Sequence, residues 1–550
     1  MAAPVRIAAL GGLGEIGMNC MVVECDGRIA VVDCGVMFPS EPIGVDLVAP
    51  DLSWLRERGD RVGAVFLTHG HEDHLGALPM LLARVRAPVY GPRLALALLR
   101  RRLEEAGVEA DLREVRPGDL RQAGEASPIS AEFIAVTHSI PDSCALALAT
   151  PQGTLLHSGD FKIDERPLDG RPMDLPRIEA LGRRGIRLLL SDSTNSDRPG
   201  SSLSESEVGD SLREAVATAR GRVIVACFSS NLHRIQQVAD AARAVGRRLA
   251  LLGRSMEEAV RLGLELGYLT LPGWQLVSTE EARQLPPREL CVLAGGTQGE
   301  PRSALARLAR GELADLGVAP GDLVVLSSRY IPGNEVAIGQ VLNGLCRLGA
   351  EVAYEELRPL HASGHAQAAE QRRLIALARP EHFVPIHGEL RHLARHAAHA
   401  DAEGIGEGRR HVLADGEVLE LDDRGARVLA EPLPVGRVYA DREAGVDVDV
   451  RVVRERRVLA EAGLCVVLLV VDRHGGAVVR GPEVLGRGVA GLEGADREIA
   501  REAREALEGM GPGARADRAA LAEVLRLAAR RWFRREGARR PEVLPVVLEV

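Results

Sequence analysis

Short apolar runs, each followed by a polar loop, set the rhythm of the first 200 residues. "RIAVVDCG" carries Asp33, "RVGAVFLTHGHEDH" a histidine cluster, "AEFIAVTHSI" His138, "GTLLHSGDFK" His157 and Asp160, and "IRLLLSDSTN" Asp192. Runs of this length and β-branched content predict strands buried on one or both faces. Reactive groups at strand ends are how layered α/β folds assemble sites. From Ser204 the rhythm changes: "GRVIVACFSSN" precedes "LHRIQQVADAARAVG", and "RRLALLGRS" precedes "MEEAVRLGLELG". Strand alternating with amphipathic helix predicts a separate α/β unit with parallel strands. Near His361 the first theme returns in "HASGHA" and "HFVPIHGE", followed by the hairpin-like "HVLADGEVLELDDRGARVL". The expected organisation is a first unit over 1–203, an insertion over 204–360, the first unit resuming with a linker over 361–448, and a smaller α+β unit over 449–550. That last unit is expected to hold a hairpin around "DRHGG", helices near Asp496–Glu508 and Asp517–Arg535, and a final strand "VLPVVLEV".

At 550 residues the chain has room for about three domains. Aromatic residues are only 3 %, so the cores must be built from Val, Leu, Ile and Ala. Positive charge is almost all arginine; Lys162 is the single lysine. A net charge of −9 excludes a global attraction for nucleic acid or an anionic membrane, so any polyanion must be held by a local site. Eight scattered cysteines form no C-x-x-C pair, which fits a reducing compartment. The N-terminus lacks a signal-peptide pattern, and no apolar run reaches about 18 residues. These features predict a cytoplasmic protein with no membrane span.

"FLTHGHEDHLGAL", Phe66 to Leu78, packs His69, His71, Asp73 and His74 into six residues. Imidazole with carboxylate suits zinc or manganese, and the lack of cysteine argues against a structural zinc finger. His69 and His71 alternate and can share one side, while Asp73 and His74 open a helix and can serve a second ion. His138, Asp160 and His387 stand at later strand ends. Seven ligands are too many for one tetrahedral ion and suit a pair bridged by a carboxylate such as Asp160. Two cations about 3.5–4 Å apart serve phosphoryl or acyl hydrolysis by lowering the pKa of a shared water. Asp33 either orients a ligand histidine from behind or only forms a turn. "HASGH", with Ala362, Ser363 and Gly364 between His361 and His365, either cradles a phosphate or makes a plain turn. The same two readings hold for Ser229, Ser230 and Asn231 in "CFSSN" and for "GTQGE" at 296–300. "RLAARRWFRREGARR" interleaves arginine with Trp532 and Phe533. It reads as a contact for RNA or a partner subunit, or as an amphipathic helix with a solvated face.

The stations Asp33, His69-x-His71-x-Asp73-His74, His138, Asp160 and His387 resemble the metallo-β-lactamase fold. "SDSTN" with Asp192, "SGHA" with His365 and "PIHGE" with His387 resemble its nucleic-acid-processing β-CASP branch. Within that branch "GGLGEIGMNC", "VVDCGVMFP", "GTQGEP", "SSRYIPGNE" and "HASGHA" resemble the bacterial ribonuclease J family. The resemblance covers nearly the whole chain, thins after about residue 460, and finds every metal station filled. Met18 departs from it, standing where the family usually shows a basic residue, a difference expected to bear on a surface contact.

The resemblance implies a four-layer αββα core interrupted by an α/β β-CASP domain and followed by a small α+β C-terminal domain. It implies two divalent ions per chain, zinc first and manganese second. His69, His71, His138 and Asp160 would hold one; Asp73, His74, His387 and the shared Asp160 the other. Asp73, Asp192 and His365 would act in the reaction, and His361 to His365, with Ser229 and Asn231, would bind substrate phosphate. A further structural calcium or manganese near "GVDLV" would involve Asp46 and Asp441. The implied substrate is single-stranded RNA in a cleft between the first two domains, cut internally and digested 5′→3′ from 5′-monophosphate ends in RNA maturation and mRNA decay. An activated hydroxide attacks phosphorus, leaving a 5′-phosphate and a 3′-hydroxyl. The implied assembly is a homodimer or homotetramer through the C-terminal unit, with helicase or ribonuclease partners of an RNA degradosome. A β-CASP DNA nuclease, another hydrolase on the same core, and a non-catalytic RNA-binding scaffold are the rival readings. The insertion with His365 and His387 opposes the second rival, and the filled ligand stations oppose the third.

Overall fold

Two sheets lie face to face in the first part of the chain, and their strands are the apolar runs of the sequence. The computed structural model describes residues 2–39, 44–313, 316–329, 334–355, 358–441, 446–473, 477–536 and 539–550. These form two units, Met1–Ser40 with Val48–Arg437, and Glu41–Leu47 with Val438–Val550. In the larger unit the first sheet runs Gly425–Val428, Leu419–Asp422, Val5–Gly11, Cys20–Cys25, Arg28–Val32, Val62–Phe66, Val89–Pro92, Leu112–Val115. The second runs His382–Ile386, Ile186–Asp192, Gly153–His157, Cys144–Thr150, Ser130–Ala135, Leu120–Gln122. Alternation decides which side chains meet between them. In "VGAVF" Ala64 and Phe66 point inward and join Phe133, Leu146 and Leu188 from the facing sheet. Phe66 meets Phe133 edge-on, centroids 6.1 Å apart, a favoured aromatic geometry. Helices Leu175–Arg184 and Ala368–Ala378 cover the outer face of the second sheet through Ile178, Leu181, Leu374 and Ile375. Helix Arg93–Ala106 packs on Val89–Pro92 and the edge strand Leu112–Val115 of the first. The expected helix–sheet–sheet–helix order is what forms.

The insertion builds a third sheet, Arg248–Leu252, Leu290–Ala294, Val223–Ala226, Leu323–Leu326, Glu351–Ala353, with every neighbouring pair parallel. Both its faces are covered. Val223 and Val225 point into one apolar cluster and Ile224 and Ala226 into another, which is why these strands read as unbroken hydrophobic runs. The hairpin expected after His387 forms as Leu419–Asp422 and Gly425–Val428, and it closes the edge of the first sheet rather than the second. Met18 is 2 % exposed with φ 54°, so its departure from the family pattern lies in the core and not in a surface contact.

In the smaller unit, strand Leu464–Val471 lies between Val478–Arg487 and Glu542–Glu549. Cys465, Val467 and Leu469 pack against helices Ala495–Glu508 and Arg518–Arg535. Trp532 and Phe533 belong to that core, with the Trp532 indole N–H donating to Glu498 at 3.1 Å. The aromatic residues of the arginine-rich helix are therefore packing residues. Leu464, Val466, Leu468 and Val470 point to the other face, in register with Leu544, Val546 and Leu548, and Leu544 and Leu548 are nearly half exposed. Helix Val450–Ala462 was not expected, because "VRVVRERRVLAEA" mixes β-branched and arginine residues without a clear apolar stripe. No helix among the described residues is long and apolar enough to cross a membrane.

A short parallel pairing, Leu13–Gly14 with Gly388–Glu389, ties the N-terminal loop to the chain directly after His387. The Leu13 N–H donates to Asp415 Oδ1 at 3.0 Å. Burial pushes the Asp415 carboxyl up to about 7, with Glu15 adding to the rise and Arg437 opposing it. A folded chain that keeps this proton, against an unfolded chain that has lost it, becomes less stable as pH rises from about 4 to 7. Asp415→Asn accepts the same bond without ionising. Its gain in melting temperature over the parent is expected to be at least about 2 °C larger at pH 8 than at pH 5, measured by scanning calorimetry.

Candidate metal centre

Parallel strands put their C-terminal ends on one edge, and both facing sheets bring that edge to the same place. Asp33 follows Arg28–Val32, and His69 and His71 follow Val62–Phe66, in the first sheet. Asp160 follows Gly153–His157, Asp192 ends its strand, and His387 follows His382–Ile386, on three adjacent parallel strands of the second. Asp73 and His74 lie in the short helix Glu72–Leu75. That helix seats only because residue 35 is glycine: a Cβ there would come within 1.7 Å of the Asp73 carbonyl oxygen. Asp33 and His387 both hold left-handed backbones, φ 59° and 53°. Such conformations cost non-glycine residues about 1–3 kcal/mol and persist where surrounding structure imposes them.

Two donor groups of four residues result, beside a third of three, Asp192, His365 and His387. His69, His71, His138 and Asp160 form one, and Asp73, His74, Asp160 and His387 the other, with the donor atoms of each within 4.8 Å of one another. Asp160 belongs to both. Its Oδ2 lies 3.7 Å from His69 Nε2, 3.2 Å from His74 Nε2, 3.8 Å from His138 Nε2 and 3.5 Å from His387 Nε2. Yet this buried oxygen makes no hydrogen bond. Ligands about 2.1 Å from a tetrahedral cation stand about 3.4 Å apart, so an oxygen with four imidazole nitrogens at this spacing and no hydrogen bond fits a shared ligand. The donor set of imidazole and carboxylate suits zinc or manganese equally.

The rings are held from behind. His74 Nδ1 meets Asp33 Oδ2 at 2.8 Å, and Asp33 also accepts from the Thr68 N–H and hydroxyl. Thr68 Oγ1 in turn lies 3.0 Å from His69 Nδ1. Thr194 Oγ1 lies 2.8 Å from His387 Nδ1 and donates to Asp192 Oδ1 at 2.7 Å. His138 Nδ1 donates to the Gly364 carbonyl at 2.7 Å, an approach that a Cβ on residue 364 would block, coming within 2.8 Å of the His138 ring. Asn19 donates to the Asp73 carbonyl and lies 3.1 Å from His74 Nε2. Fixing one ring nitrogen aims the other and raises its basicity as a ligand. Asp33 is thus an orienting residue as well as a turn.

Charge divides the two groups. Burial holds the His69 and His138 imidazoles well below their ordinary range, and His71 at about 4, so the three imidazoles of this group are neutral and free to ligate. At His74 and His387 burial acts the same way, but the surrounding carboxylates outweigh it, raising His74 well above its ordinary range and His387 to about 9. Burial opposes ionisation of Asp160 too, and the His387 and His74 imidazoles overcome it and keep the carboxyl low.

Most of the centre is buried; His71, Asp73 and His365 are its half-buried members and mark the open side. His365 Nδ1 lies 2.8 Å from Asp192 Oδ2, and its ring stands edge-on to His138 and tilted against His387. Asn195 fixes the same loop, donating to Ser363 Oγ at 2.8 Å and to the His365 carbonyl at 3.1 Å. Ala362 and His361 turn away from this side. Ala362 is in the apolar core of the insertion, and His361 is buried against Arg234, Glu205 and Lys162. Asn231 caps helix Leu232–Ala244 with its side chain, and Ser229 is half buried in the preceding turn. Asp46 donates its N–H to the Ala440 carbonyl; among the described residues neither Asp46 nor Asp441 belongs to a cluster of three metal donors. Asn19, Thr68, Thr194 and Asn195 were not singled out in the sequence. The first and the last two stand inside the quoted "GMNC" and "SDSTN", and Thr68 directly precedes His69.

Residues 13–192 match the metallo-β-lactamase superfamily, 220–345 the ribonuclease J β-CASP domain, 349–409 the Zn-dependent metallo-hydrolase RNA specificity domain, and 451–550 the ribonuclease J C-terminal domain. Ribonuclease J of Mycolicibacterium smegmatis is 40 % identical over 549 residues, covering 99 % of this chain and 97 % of that one. Ribonuclease J of Helicobacter pylori is 37 % identical over 507 residues, 92 % of this chain and 73 % of that one. A crystal structure of a protein of unknown function from Enterococcus faecalis V583 shares the fold, with a TM-score of 0.51 at 16 % identity, over 78 % of this chain and all of that one. With its donor groups complete, the chain belongs to the ribonuclease J family of metal-dependent ribonucleases.

Proposed function

We propose that this ribonuclease works with two divalent cations, cutting single-stranded RNA internally and digesting it 5′→3′ from 5′-monophosphate ends. The observation that carries the reading is Asp160 Oδ2, set among four imidazole nitrogens and shared by both donor groups. His69, His71, His138 and Asp160 would hold one cation, and Asp73, His74, His387 and Asp160 the other. Cations so held lower the pKa of water to near neutrality and offset negative charge on phosphate oxygens. The chain's own residues then position the substrate. Asp33, Thr68 and Thr194 keep the ligand rings aimed. The Ser363–His365 turn lies on the open side, where its backbone and the His365 ring would meet a phosphate. His365, held through Nδ1 by Asp192, keeps Nε2 for a non-bridging oxygen or for the leaving 3′-oxygen. Cleavage with that polarity leaves a 5′-phosphate and a 3′-hydroxyl.

End preference supplies the test. Ser229 and Asn231, at the C-terminal edge of the parallel sheet, would receive a terminal phosphate. A pocket sized for one phosphate disfavours three. One labelled RNA carrying a 5′-monophosphate is expected to be degraded from its end at least about tenfold faster than its 5′-triphosphate form, with Mn²⁺ or Zn²⁺ present. Equal exonucleolytic rates would refute the end-directed part of the proposal.

The bare sheet face of the smaller unit, with Leu468, Leu544 and Leu548, suits a second copy of the chain, since exposed apolar strand faces of this kind mark association surfaces. Leu468→Glu is expected to convert the assembly to monomers, read by light scattering. An unchanged mass would place the interface elsewhere.

A further inference from the structure

Arg234 is the bulkiest fully buried side chain among the described residues, 0 % exposed, and no part of the chemistry above uses it. It sits in the first turn of helix Leu232–Ala244, directly after the Ser229–Asn231 turn. Every arm of its guanidinium is engaged. Nε donates to Gln237 at 2.9 Å, Nη2 pairs with Glu205 at 2.5 Å, and Nη1 donates to the Leu360 carbonyl at 2.9 Å and to the Ser327 hydroxyl. Ser327 donates onward to the same Leu360 carbonyl at 2.6 Å. Leu360 is the residue before the His361–His365 loop.

The far side of the cluster reaches the metal-bearing domain. Glu205 Oε1 lies 3.7 Å from Nζ of Lys162, two residues beyond Asp160. Lys162 also pairs with Asp164 at 3.4 Å and donates to the Leu203 carbonyl at 3.3 Å. The Lys162 backbone N–H donates to the Thr137 carbonyl, beside His138. Two positive and two negative side chains, all buried, meet where the insertion joins the domain that carries it. Burying four charges is costly unless each is paired, and an apolar joint would stabilise the fold at least as well. A fork of directed bonds does something an apolar contact does not: it sets one distance.

The two ends of the His361–His365 loop answer to different masters. Its far end is tied to the metal domain, through Gly364 to His138, Asn195 to Ser363 and His365, and Asp192 to His365. Its near end, at Leu360, is tied to the insertion through Arg234 and Ser327. We propose that Arg234 is a positioning residue: by bonding Leu360 and Glu205 it fixes the spacing between the Ser229–Asn231 turn of the insertion and the metal centre, and so couples recognition of the RNA 5′ end to cleavage. The proposal rests on the end-directed reading above. Losing Arg234 loosens that spacing and leaves His365 and the ligands where they are.

The test compares the parent, Arg234→Met, Arg234→Lys and Ser327→Ala on a linear RNA with a 5′-monophosphate, the same RNA with a 5′-hydroxyl, and a circular RNA with no end. Metal content and melting temperature are measured on each preparation. For Arg234→Met the preference for the monophosphate over the hydroxyl end is expected to fall about 10–100-fold, the worth of one charge-assisted hydrogen bond. Cleavage of circular RNA and metal content should stay within about threefold of the parent. Arg234→Lys, which keeps charge but loses the fork, should recover only part of the preference. Ser327→Ala removes two bonds, the one it accepts from Arg234 and the one it donates to the Leu360 carbonyl, but leaves Arg234 bonded to Leu360 and Glu205; it keeps the fold if Arg234→Met does not, and should lower the preference by about three- to tenfold. An unchanged preference in these variants overturns the proposal, and so does an equal loss on circular and linear RNA, which would make Arg234 a general structural residue. A parent enzyme with no end preference overturns the end-directed reading and this proposal with it.

Discussion

Asp160→Asn is expected to abolish RNA cleavage and to cost the chain both divalent cations, while the fold survives. Asp160 is the one residue common to both donor groups, and its Oδ2 faces four imidazole nitrogens. An amide offers a weaker, neutral oxygen, and a nitrogen donor if it turns. Two-cation assistance supplies several kcal/mol of transition-state stabilisation, so the rate should fall at least about 10³-fold. Metal content by mass spectrometry and single-turnover cleavage on one preparation check it. A variant that keeps two ions per chain and more than a tenth of the activity would remove Asp160 from the shared position.

His365→Ala is expected to lower cleavage by about 10²–10⁴-fold, the range of general acid–base help, with both cations retained and a smaller loss of RNA affinity. The ring stands on the open side with one nitrogen committed to Asp192 and 3.9 Å separating that nitrogen from Asp160. A competing role is written into the same geometry, because Asp192, His365 and His387 form a third group of donors within 4.8 Å of one another. Metal lost in proportion to activity would assign His365 to the ligand shell instead of to proton transfer.

The donor groups were legible in the sequence because their histidines and aspartates crowd into short spans at strand ends. His69, His71, Asp73 and His74 announce themselves, and the α/β rhythm of the insertion announces its parallel sheet. What was not legible is built from common residues paired over long separations. Arg234 meets Glu205 from 29 positions away and Leu360 from 126. Thr194 reaches His387 across 193. His361 shows the limit from the other direction: a loop motif places it with His365, but its ring turns into the joint with Arg234, since side-chain direction within a turn depends on what packs beneath it. The sequence leaves Trp532 and Phe533 between a contact for RNA or a partner and an amphipathic helix with a solvated face; once the helix is wound, both fall on its inner stripe.

Lys162 is the only side-chain amine in the chain, and it is 1 % exposed. A reagent that acylates primary amines cannot reach it while the cluster around Glu205 is closed. Its acylation therefore counts openings of that junction, in the way slow hydrogen exchange counts openings of a buried backbone amide. The chain's other primary amine is its N-terminal α-amino group, so the Lys162 adduct is read on the peptide that carries it; arginine stays silent to such a reagent. The protein thus carries a single-point clock for the breathing of its two main domains, readable by the mass of the Lys162 peptide with and without bound RNA.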